Sequence, residues 1–343
     1  MQPLVSILIP AYRAAPWIAA TLRSALGQTW SNKEIIVVDD GSPDETFEIA
    51  KGFAGPRVQV VMQRNAGASS ARNWAFELAQ GDYVQWLDAD DLLAPDKVAR
   101  QMQTSAEIGD SRMLLSSPFA TFMHRLSKAA FHPTALWNDL SPLEWLLRKM
   151  GQNLHMQTST WLVSRELTQA AGPWDTRISL DDDGEYFCRV LLASSGVRFV
   201  PGASVFYRAS GPTRMSNVDM SNKKLESQFL SMQLHVQYLR SLEDSERVRQ
   251  ACRYYLQTWL PYFVPERMDL VAQLREMARA LGGELENPGI RPKYAPVARI
   301  FGYPTAKRAQ NSVSRLKWAA VRRWDKLMAL GERGQKGYAS PSS

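Results

Sequence analysis

The first two thirds of the chain alternate short apolar runs with amphipathic segments. Apolar runs of this length indicate buried strands, and they lie at residues 5–9, 34–38, 58–62, 83–87 and 113–116. Helical periodicity separates them, at about 16–28, 46–53, 68–79 and 95–108. Because the strands are apolar throughout and alternate with helices, the sequence predicts an α/β fold with a mostly parallel sheet flanked by helices.

The pattern continues to about residue 208 and then changes. It predicts strands at 159–163, 197–200 and 205–207, and helices at 165–171 and 181–193. From about 217 the segments are long and helical, with interruptions predicted at Pro261, Pro265 and the stretch 288–304. We therefore expect an α/β domain over 1–215, a helical C-terminal region over 216–330 and a disordered tail over 331–343.

Bulk composition is that of a globular protein in a reducing compartment. Hydrophobic residues make up 45% of the chain, enough to bury a core. The two cysteines, Cys188 and Cys252, are far apart and predict no disulfide framework. The sequence shows no signal peptide and no apolar run of about 20 residues. These features predict a cytoplasmic location.

The net charge of +7 is unevenly distributed. Residues 291–343 hold 12 Lys and Arg against Asp325 and Glu332, a net charge of +10, so the rest of the chain sums to −3. The body of the protein therefore offers no basic groove, which argues against a nucleic-acid partner.

Candidate chemistry lies where the predicted strands end, which is where parallel sheets bind ligands. The loops there contain residues 10–12, 39–42, 65–67 and 88–91. The last of these has three carboxylates in four positions, which favours a divalent cation over a solvated acidic loop, the alternative interpretation. The chain has neither G-x-G-x-x-G after the first strand nor a P-loop, so the usual dinucleotide and P-loop sites are disfavoured.

A second acidic segment, Asp181 to Asp183, opens a predicted helix. Helix N-capping explains one Asp but not three, so we expect at least one of these carboxylates to have another role. The histidines at 124, 132 and 155 fit no compact metal motif.

The motifs at these loops resemble those of family 2 glycosyltransferases with the GT-A fold. They read VSILIPAY (5–12), EIIVVDDGS (34–42), ARN (71–73), GDY (81–83), LDADD (87–91) and DDGEYFCR (182–189). Their order and spacing match the family, and the resemblance covers about residues 3–208. It does not extend to the C-terminal third.

The resemblance implies that the first loops bind a nucleotide. Tyr12, next to Pro10 and Ala11, would pack against the base, and Asp40 would hydrogen-bond the base or the ribose. Gly67 would allow the backbone to approach the nucleotide.

The later motifs imply contacts with the diphosphate and the sugars. Arg72 would stabilise the nucleotide loop or the diphosphate. Asp88 would contact the ribose or the sugar, and its neighbour Ala89 would belong to the same nucleotide-sugar site. Asp90 would bind Mg²⁺ or Mn²⁺. Asp183 would be the general base.

Three neighbouring residues, Trp174, Asp182 and Glu185, are candidates for the acceptor side. Asp182 departs from the family, which more commonly has Glu there. The segment after Arg208 lacks the His often found at that point, so the resemblance supplies no protein ligand for the metal besides Asp90.

The resemblance implies an inverting, metal-dependent glycosyltransferase. It would move a sugar from a nucleotide diphosphate sugar, with UDP-sugars expected, to a hydroxyl of a glycan or lipid-linked acceptor in cell-surface polysaccharide synthesis. A single base suffices for direct displacement, whereas retention uses a second carboxylate as nucleophile. The alternatives are a nucleotide-sugar binding protein without turnover and a sugar nucleotidyltransferase.

The basic C-terminal segment predicts an amphipathic helix over about 311–330. Val313, Leu316, Val321, Trp324 and Leu327 fall on one side, and basic residues fall on the other. Such a helix lies in an anionic membrane interface or packs on the body of the protein. The first alternative predicts peripheral binding of 291–330 to the inner face of the cell membrane.

Overall fold

The computed structural model describes residues 2–209 and 221–336. Its main sheet has five strands in the order β3-β2-β1-β4-β9, and all neighbours are parallel except β4 and β9. The strands are β1 (Val5–Ala11), β2 (Lys33–Asp39), β3 (Val58–Met62), β4 (Tyr83–Trp86) and β9 (Val163–Ser164). Strands β1 and β2 are almost wholly buried, as the apolar runs predict.

Two smaller sheets extend the domain beside β4. One pairs β6 with β10 in parallel, and the other has the order β5-β11-β7-β8. Their strands are β5 (Leu92–Leu93), β6 (Met113–Ser116), β7 (Phe119–Phe122), β8 (Ala130–Phe131), β10 (Gly196–Phe199) and β11 (Val205–Arg208). The pairing of β11 with β5 brings Arg208 close to the loop that follows β4.

Helices between the strands cover the sheet. They are α1 (Ile18–Leu26), α2 (Thr46–Lys51), α3 (Ala68–Leu78), α4 (Lys97–Ile108), α5 (Pro142–Gln152), α6 (Arg165–Ala171) and α7 (Asp182–Ala193). Helix α3 packs on β1 and β2, and α2 packs on β3. This arrangement confirms the predicted α/β fold class.

The strand predicted at 159–163 is wrong for most of its length. Residues Thr158–Thr160 form a short 3-10 helix, and only Val163–Ser164 pair in the sheet. The cause is tertiary: Gln85, Gln101 and Ser117 all donate side-chain hydrogen bonds to carbonyl oxygens of this turn.

Four long helices form the C-terminal region, as predicted: α8 (Asn222–Leu242), α9 (Glu246–Phe263), α10 (Met268–Ala280) and α11 (Ala295–Lys336). Pro261 does not interrupt α9, because it lies in the last turn. Helix α11 is broken at Gly302, inside the predicted interruption 288–304, where φ is +80°. Helices α8 and α9 pack on α7 and α5 respectively, so the helical region adjoins the sheet domain.

The predicted domain limits remain a prediction. The boundary at 215 and the residues from 337 onward lie outside the described residues, and α11 continues into the segment predicted as a tail. Within the described residues, no helix is both long and apolar enough to span a membrane.

Candidate active site

The parallel strands β1, β2 and β4 bring the predicted loops to one edge of the sheet. Ala11 pairs with Asp39 at the end of the ladder, and the Asp40 amide donates to the Ala11 carbonyl at 2.8 Å. The Leu87 amide donates to the Leu8 carbonyl at 3.0 Å, which directs the next residues, 88–91, past the end of β1. The strand pairing therefore gathers the loops at 10–12, 39–42 and 88–91.

Asp40 shapes the loop at 65–67. Its carboxylate is buried and accepts hydrogen bonds from the side chains of Gln63 and Asn65 and from the amides of Ala66 and Gly67, at 2.7 to 3.0 Å. Four donors fill the usual acceptor positions of a carboxylate. The contact of Asp40 with a nucleotide therefore remains a prediction, whereas its role in holding this loop is direct.

Gly67 and Tyr12 present open surfaces beside that loop. Gly67 has φ +95°, a conformation that favours glycine, and nothing lies within 4 Å of the position of a Cβ. The Tyr12 ring is 46% exposed, with the Arg13 guanidinium 5.4 Å from its centre. Pro10 and Ala11 are buried and support the loop. An exposed aromatic ring suits a planar ligand, and an open glycine allows a ligand to approach the backbone.

Arg72 joins the two acidic segments. This buried guanidinium contacts Asp88 Oδ1 at 2.9 Å and Asp182 Oδ2 at 2.6 Å. Burial opposes its charge, but the carboxylates of Asp182 and Asp88 outweigh burial and raise the pKa of Arg72. Its other face lies over the Trp174 ring at 4.3 Å. Arg72 therefore fixes the loop after β4 to the start of α7.

Asp183 is the carboxylate of the second segment that faces the first. Its Oδ2 accepts from the Thr158 hydroxyl at 3.1 Å, and its Oδ1 accepts from the Gly184 amide at 2.8 Å. Burial, followed by the charges of Asp182, Asp181 and Asp88, raises the pKa of Asp183 to about 7. A carboxylate with this pKa can accept a proton near neutral pH.

Asp90 and Asp91 differ although they are adjacent. Asp91 is fully buried and accepts from the Arg208 amide at 2.7 Å and from the Gln157 side chain. Apart from its own backbone amide, no described residue donates a hydrogen bond to the Asp90 carboxylate. Burial and the charge of Asp88 raise the pKa of Asp90 to about 7. Asp90 is therefore available to a cation, whereas Asp91 fixes the loop.

The three residues predicted for the acceptor side are held by contacts within the protein. Trp174 is buried and stacks on Tyr186 at 4.0 Å between ring centres. Its backbone amide donates to the Asn73 side-chain oxygen, and its carbonyl accepts from the Asn73 side-chain nitrogen. Glu185 is buried and accepts from Arg189 and Tyr238, while Asp182 is paired with Arg72. Trp174 and Glu185 thus lie in the wall of the site, where their burial does not fit the predicted contact with an acceptor.

Sequence reasoning missed the turn at 157–159. Thr158 donates to Asp183, the Gln157 side chain contacts Asp91, and the Ser159 hydroxyl accepts from the Asp88 amide at 3.4 Å. All three are buried polar residues. A run of polar residues inside a segment read as a buried strand was the available signal.

Comparison with known proteins agrees with these motifs. Residues 6–167 match the model of glycosyl transferase family 2. EpsJ of Bacillus subtilis, an uncharacterized glycosyltransferase, is 45% identical over 96 residues, which are 27% of this chain and 28% of EpsJ. The chondroitin synthase of Escherichia coli is 45% identical over 98 residues, 28% of this chain and 14% of that protein. The matches thus span less than a third of each relative.

Solved structures extend the likeness to the C-terminal helices. Residues 1–349 of TarS from S. aureus superpose with a TM-score of 0.60 at 17% identity, over 90% of this chain and 91% of that one. The same TarS fragment in complex with UDP-GlcNAc gives a TM-score of 0.58, again at 17% identity. This likeness confirms the predicted GT-A fold with its helical C-terminal region.

Proposed function

We propose that this chain, whose residues 6–167 match the model of glycosyl transferase family 2, transfers a sugar from a nucleotide diphosphate sugar to an acceptor hydroxyl. The observation that carries the proposal is the double ion pair of Arg72 with Asp88 and Asp182. It joins the strand-end loop of a nucleotide site to the helix start that contains Asp183, a carboxylate with a pKa of about 7. A transferase needs its base held close to the bound donor, so that the acceptor hydroxyl can attack in the right geometry.

The donor is expected to be a UDP-sugar. Two observations support this: the exposed Tyr12 ring suits stacking on a base, and the TarS fragment of similar fold was solved with UDP-GlcNAc. The acceptor is expected to be a glycan or a lipid-linked sugar, because relatives of this domain include a chondroitin synthase.

Mg²⁺ or Mn²⁺ is the proposed cofactor, with Asp90 as its protein ligand. The fit rests on the Asp90 carboxylate, which has a pKa raised to about 7 and no hydrogen-bond donor among the described residues apart from its own amide. No group of three potential ligands occurs in the described parts of the chain. The remaining ligands would be diphosphate oxygens and water, a pattern common for Mg²⁺. The ion would neutralise charge on the departing diphosphate.

Asp183 is proposed to accept the proton of the attacking hydroxyl. Thr158 and the Gly184 amide hold its two oxygens, so the carboxylate has a defined direction. With one base and direct displacement, the anomeric configuration would invert. Asp88, held by Arg72, would orient the donor sugar or the ribose.

The test is a screen of nucleotide sugars with and without Mn²⁺, by thermal shift and by nucleotide release. A bound donor raises the melting temperature by mass action. Wild-type protein should bind a UDP-sugar in the presence of Mn²⁺ and release UDP. Asp90→Ala should lose the Mn²⁺ dependence of binding, whereas Glu284→Ala, an exposed control, should retain it. Binding without release would favour the non-catalytic alternative.

The exposed side of α11 is proposed to bind an anionic membrane at the cytoplasmic face. Asp325 faces the body, where it pairs with Arg125 at 2.8 Å. Val321, Trp324, Leu327 and Met328 are exposed instead, with Trp324 at 66%. Arg323 and Lys326 are exposed next to them. An apolar strip with a Trp and flanking cations suits a lipid interface better than packing on the body.

Co-sedimentation with liposomes tests this membrane proposal. The wild-type chain should pellet with vesicles that contain phosphatidylglycerol and less with neutral vesicles. The double substitution Trp324→Ser and Leu327→Ser should reduce pelleting at low salt, whereas Tyr254→Ser, at an exposed site on α9, should not. Equal pelleting of all three proteins would contradict the proposal.

A further inference from the structure

Helix α8 has a stripe of polar residues on a buried face. Ser227, Ser231, His235 and Tyr238 recur at helical spacing, and the first three are almost inaccessible to solvent. A helix face that packs on the body is normally apolar. Buried polar groups of this kind destabilise the fold unless each finds a partner. Their partners therefore indicate what the stripe does.

The partners lie in the segment that leads into Asp183. The Ser227 hydroxyl accepts from the amides of Ser179 and Leu180 at 2.8 and 3.0 Å. The Ser231 hydroxyl donates to Asp181 Oδ2 at 2.6 Å. The Tyr238 hydroxyl donates to Glu185 Oε1 at 2.8 Å. One face of α8 thus contacts the residues on both sides of Asp183.

His235 completes the contact with Asp181. Its Nδ1 lies 3.6 Å from Asp181 Oδ2 and 2.8 Å from the Tyr255 hydroxyl on α9. Lys149 of α5 and Phe187 of α7 line the small cavity beside Asp181 and Asp183. Asp181 is therefore enclosed by three helices of the described chain besides its own.

Asp181 has a conformation that needs such support. Its φ is +64°, in the left-handed region, and its side chain makes no capping hydrogen bond to α7. The carboxylate occupies the space beside Gly184, where an added Cβ would lie 2.1 Å from Oδ1. N-capping, the alternative for this acidic segment, thus does not account for Asp181. The carboxylate is directed to α8 instead.

We propose that Ser231 is a positioning residue: through Asp181 it fixes the turn that directs Asp183 toward the site. The proposal rests on the proposed function of Asp183 as the base. It makes α8 part of the catalytic unit, although the nucleotide loops belong to the sheet. A shift of about 1 Å at a reacting group can cost about 100-fold in rate, and the Ser231 hydrogen bond restrains the turn two residues from Asp183.

The consequence differs for binding and for turnover. The donor loops at 10–12, 65–67 and 88–91 are held by β1, β2 and β4 and do not contact α8 through the stripe. Ser231→Ala should therefore lower kcat by about 10- to 100-fold and leave the Kd for the donor nearly unchanged. Ser231→Thr, which retains a hydroxyl, should restore most of the kcat.

The test uses the full chain and UDP-GlcNAc with Mn²⁺. UDP release with water as the acceptor gives kcat, and calorimetry with UDP gives Kd. Hydrogen exchange of the amides at 181–185 reports the turn without any turnover. The matched control is Ser241→Ala, because Ser241 lies on the same helix but is exposed. It should behave as wild type in all three measurements.

Two results would overturn the inference. One is wild-type kcat in Ser231→Ala, and the other is unchanged exchange at 181–185 in that variant. If Ser231→Ala does not fold, Tyr238→Phe replaces it, since it removes only the hydroxyl bound to Glu185. If the wild-type protein is folded but releases UDP from no nucleotide sugar, the proposed function is refuted instead. The exchange measurement would still decide whether α8 restrains the turn.

Discussion

The acidic segments 88–91 and 181–185 resemble each other in composition and differ in what holds them. In 88–91, Arg72 binds Asp88 and the Arg208 amide binds Asp91, whereas the Asp90 carboxylate has no donor among the described residues apart from its own amide. Neighbouring β-strands fix that segment. In 181–185, every carboxylate has a partner, and three of those partners, Ser231, His235 and Tyr238, come from α8.

The difference separates the two halves of the proposed reaction. The donor side depends on the parallel sheet, which the family match covers over residues 6–167. The base side depends also on the C-terminal helices, which lie outside that match. In both segments one carboxylate has a pKa raised to about 7, and its neighbours are held by hydrogen bonds or ion pairs. Arg72 bridges the two halves directly through its ion pairs with Asp88 and Asp182.

Removing that bridge should have the largest effect. Arg72→Ala leaves Asp88 and Asp182 without their countercharge, and breaking a buried pair in this way costs about 3–5 kcal/mol. We expect the low end, about 3 kcal/mol, because the two carboxylates are 29% and 20% exposed. Urea unfolding measures the loss. Arg247→Ala, which breaks exposed pairs with Glu243 and Glu144, should have a much smaller effect because solvent screens these charges. Equal losses of unfolding free energy in the two variants would contradict the role of Arg72 as a bridge.

The pH dependence of turnover should be the next largest effect. Burial and nearby carboxylates raise the pKa of Asp183 to about 7, and a base must be ionised to accept a proton. At saturating donor and Mn²⁺, kcat should fall about tenfold for each pH unit below about 7. A kcat that stays constant down to pH 5 would show that no group with this pKa acts as the base.

The same pKa shift has an effect on stability. Because the folded protein holds the Asp183 proton up to about pH 7, its contribution to stability is present at low pH and is lost as the pH rises through that value. Asp183→Asn should therefore be more stable than wild type at pH 8, with the difference shrinking toward pH 4. Thermal unfolding at the two pH values measures this, and a constant difference would contradict the shift.

Thr158→Val should have the smallest effect. It removes the hydroxyl that donates to Asp183 and nearly conserves volume. Since that hydrogen bond favours the ionised form, its loss should raise the pKa of Asp183 and shift the acid limb of the kcat profile upward by a fraction of a unit. Thr258→Val on α9, whose hydroxyl bonds within its own helix, is the control. An unshifted profile would remove Thr158 from the site.

The sequence predicted the strand-end loops well because their signals are local. Apolar runs such as those of β1 and β2 indicate strands, and the residues after Asp39 and Leu87 necessarily meet at one edge of a parallel sheet. Asp90 could be selected as a candidate for this reason, whereas Asp183 was selected from the acidic start of a predicted helix. The individual roles of both residues required the family resemblance.

The base side could be predicted only in part, because its contacts are tertiary. The turn at 158–160 reads as a strand until Gln85 and Gln101 bind its carbonyl groups. Ser231 reads as an ordinary surface residue of a helix, and only the position of Asp181 reveals its role. Trp174 and Glu185 belong to the right region, but periodicity could not show that both are buried.

The most direct test of the account is the substitution Asp183→Asn, measured for both turnover and donor binding. We predict a loss of kcat of about 100-fold or more, with the Kd for UDP and the circular dichroism spectrum unchanged. Asp269→Asn, at an exposed carboxylate on α10, should retain wild-type kcat. Turnover within about twofold of wild type in Asp183→Asn would contradict the assignment of Asp183 as the base.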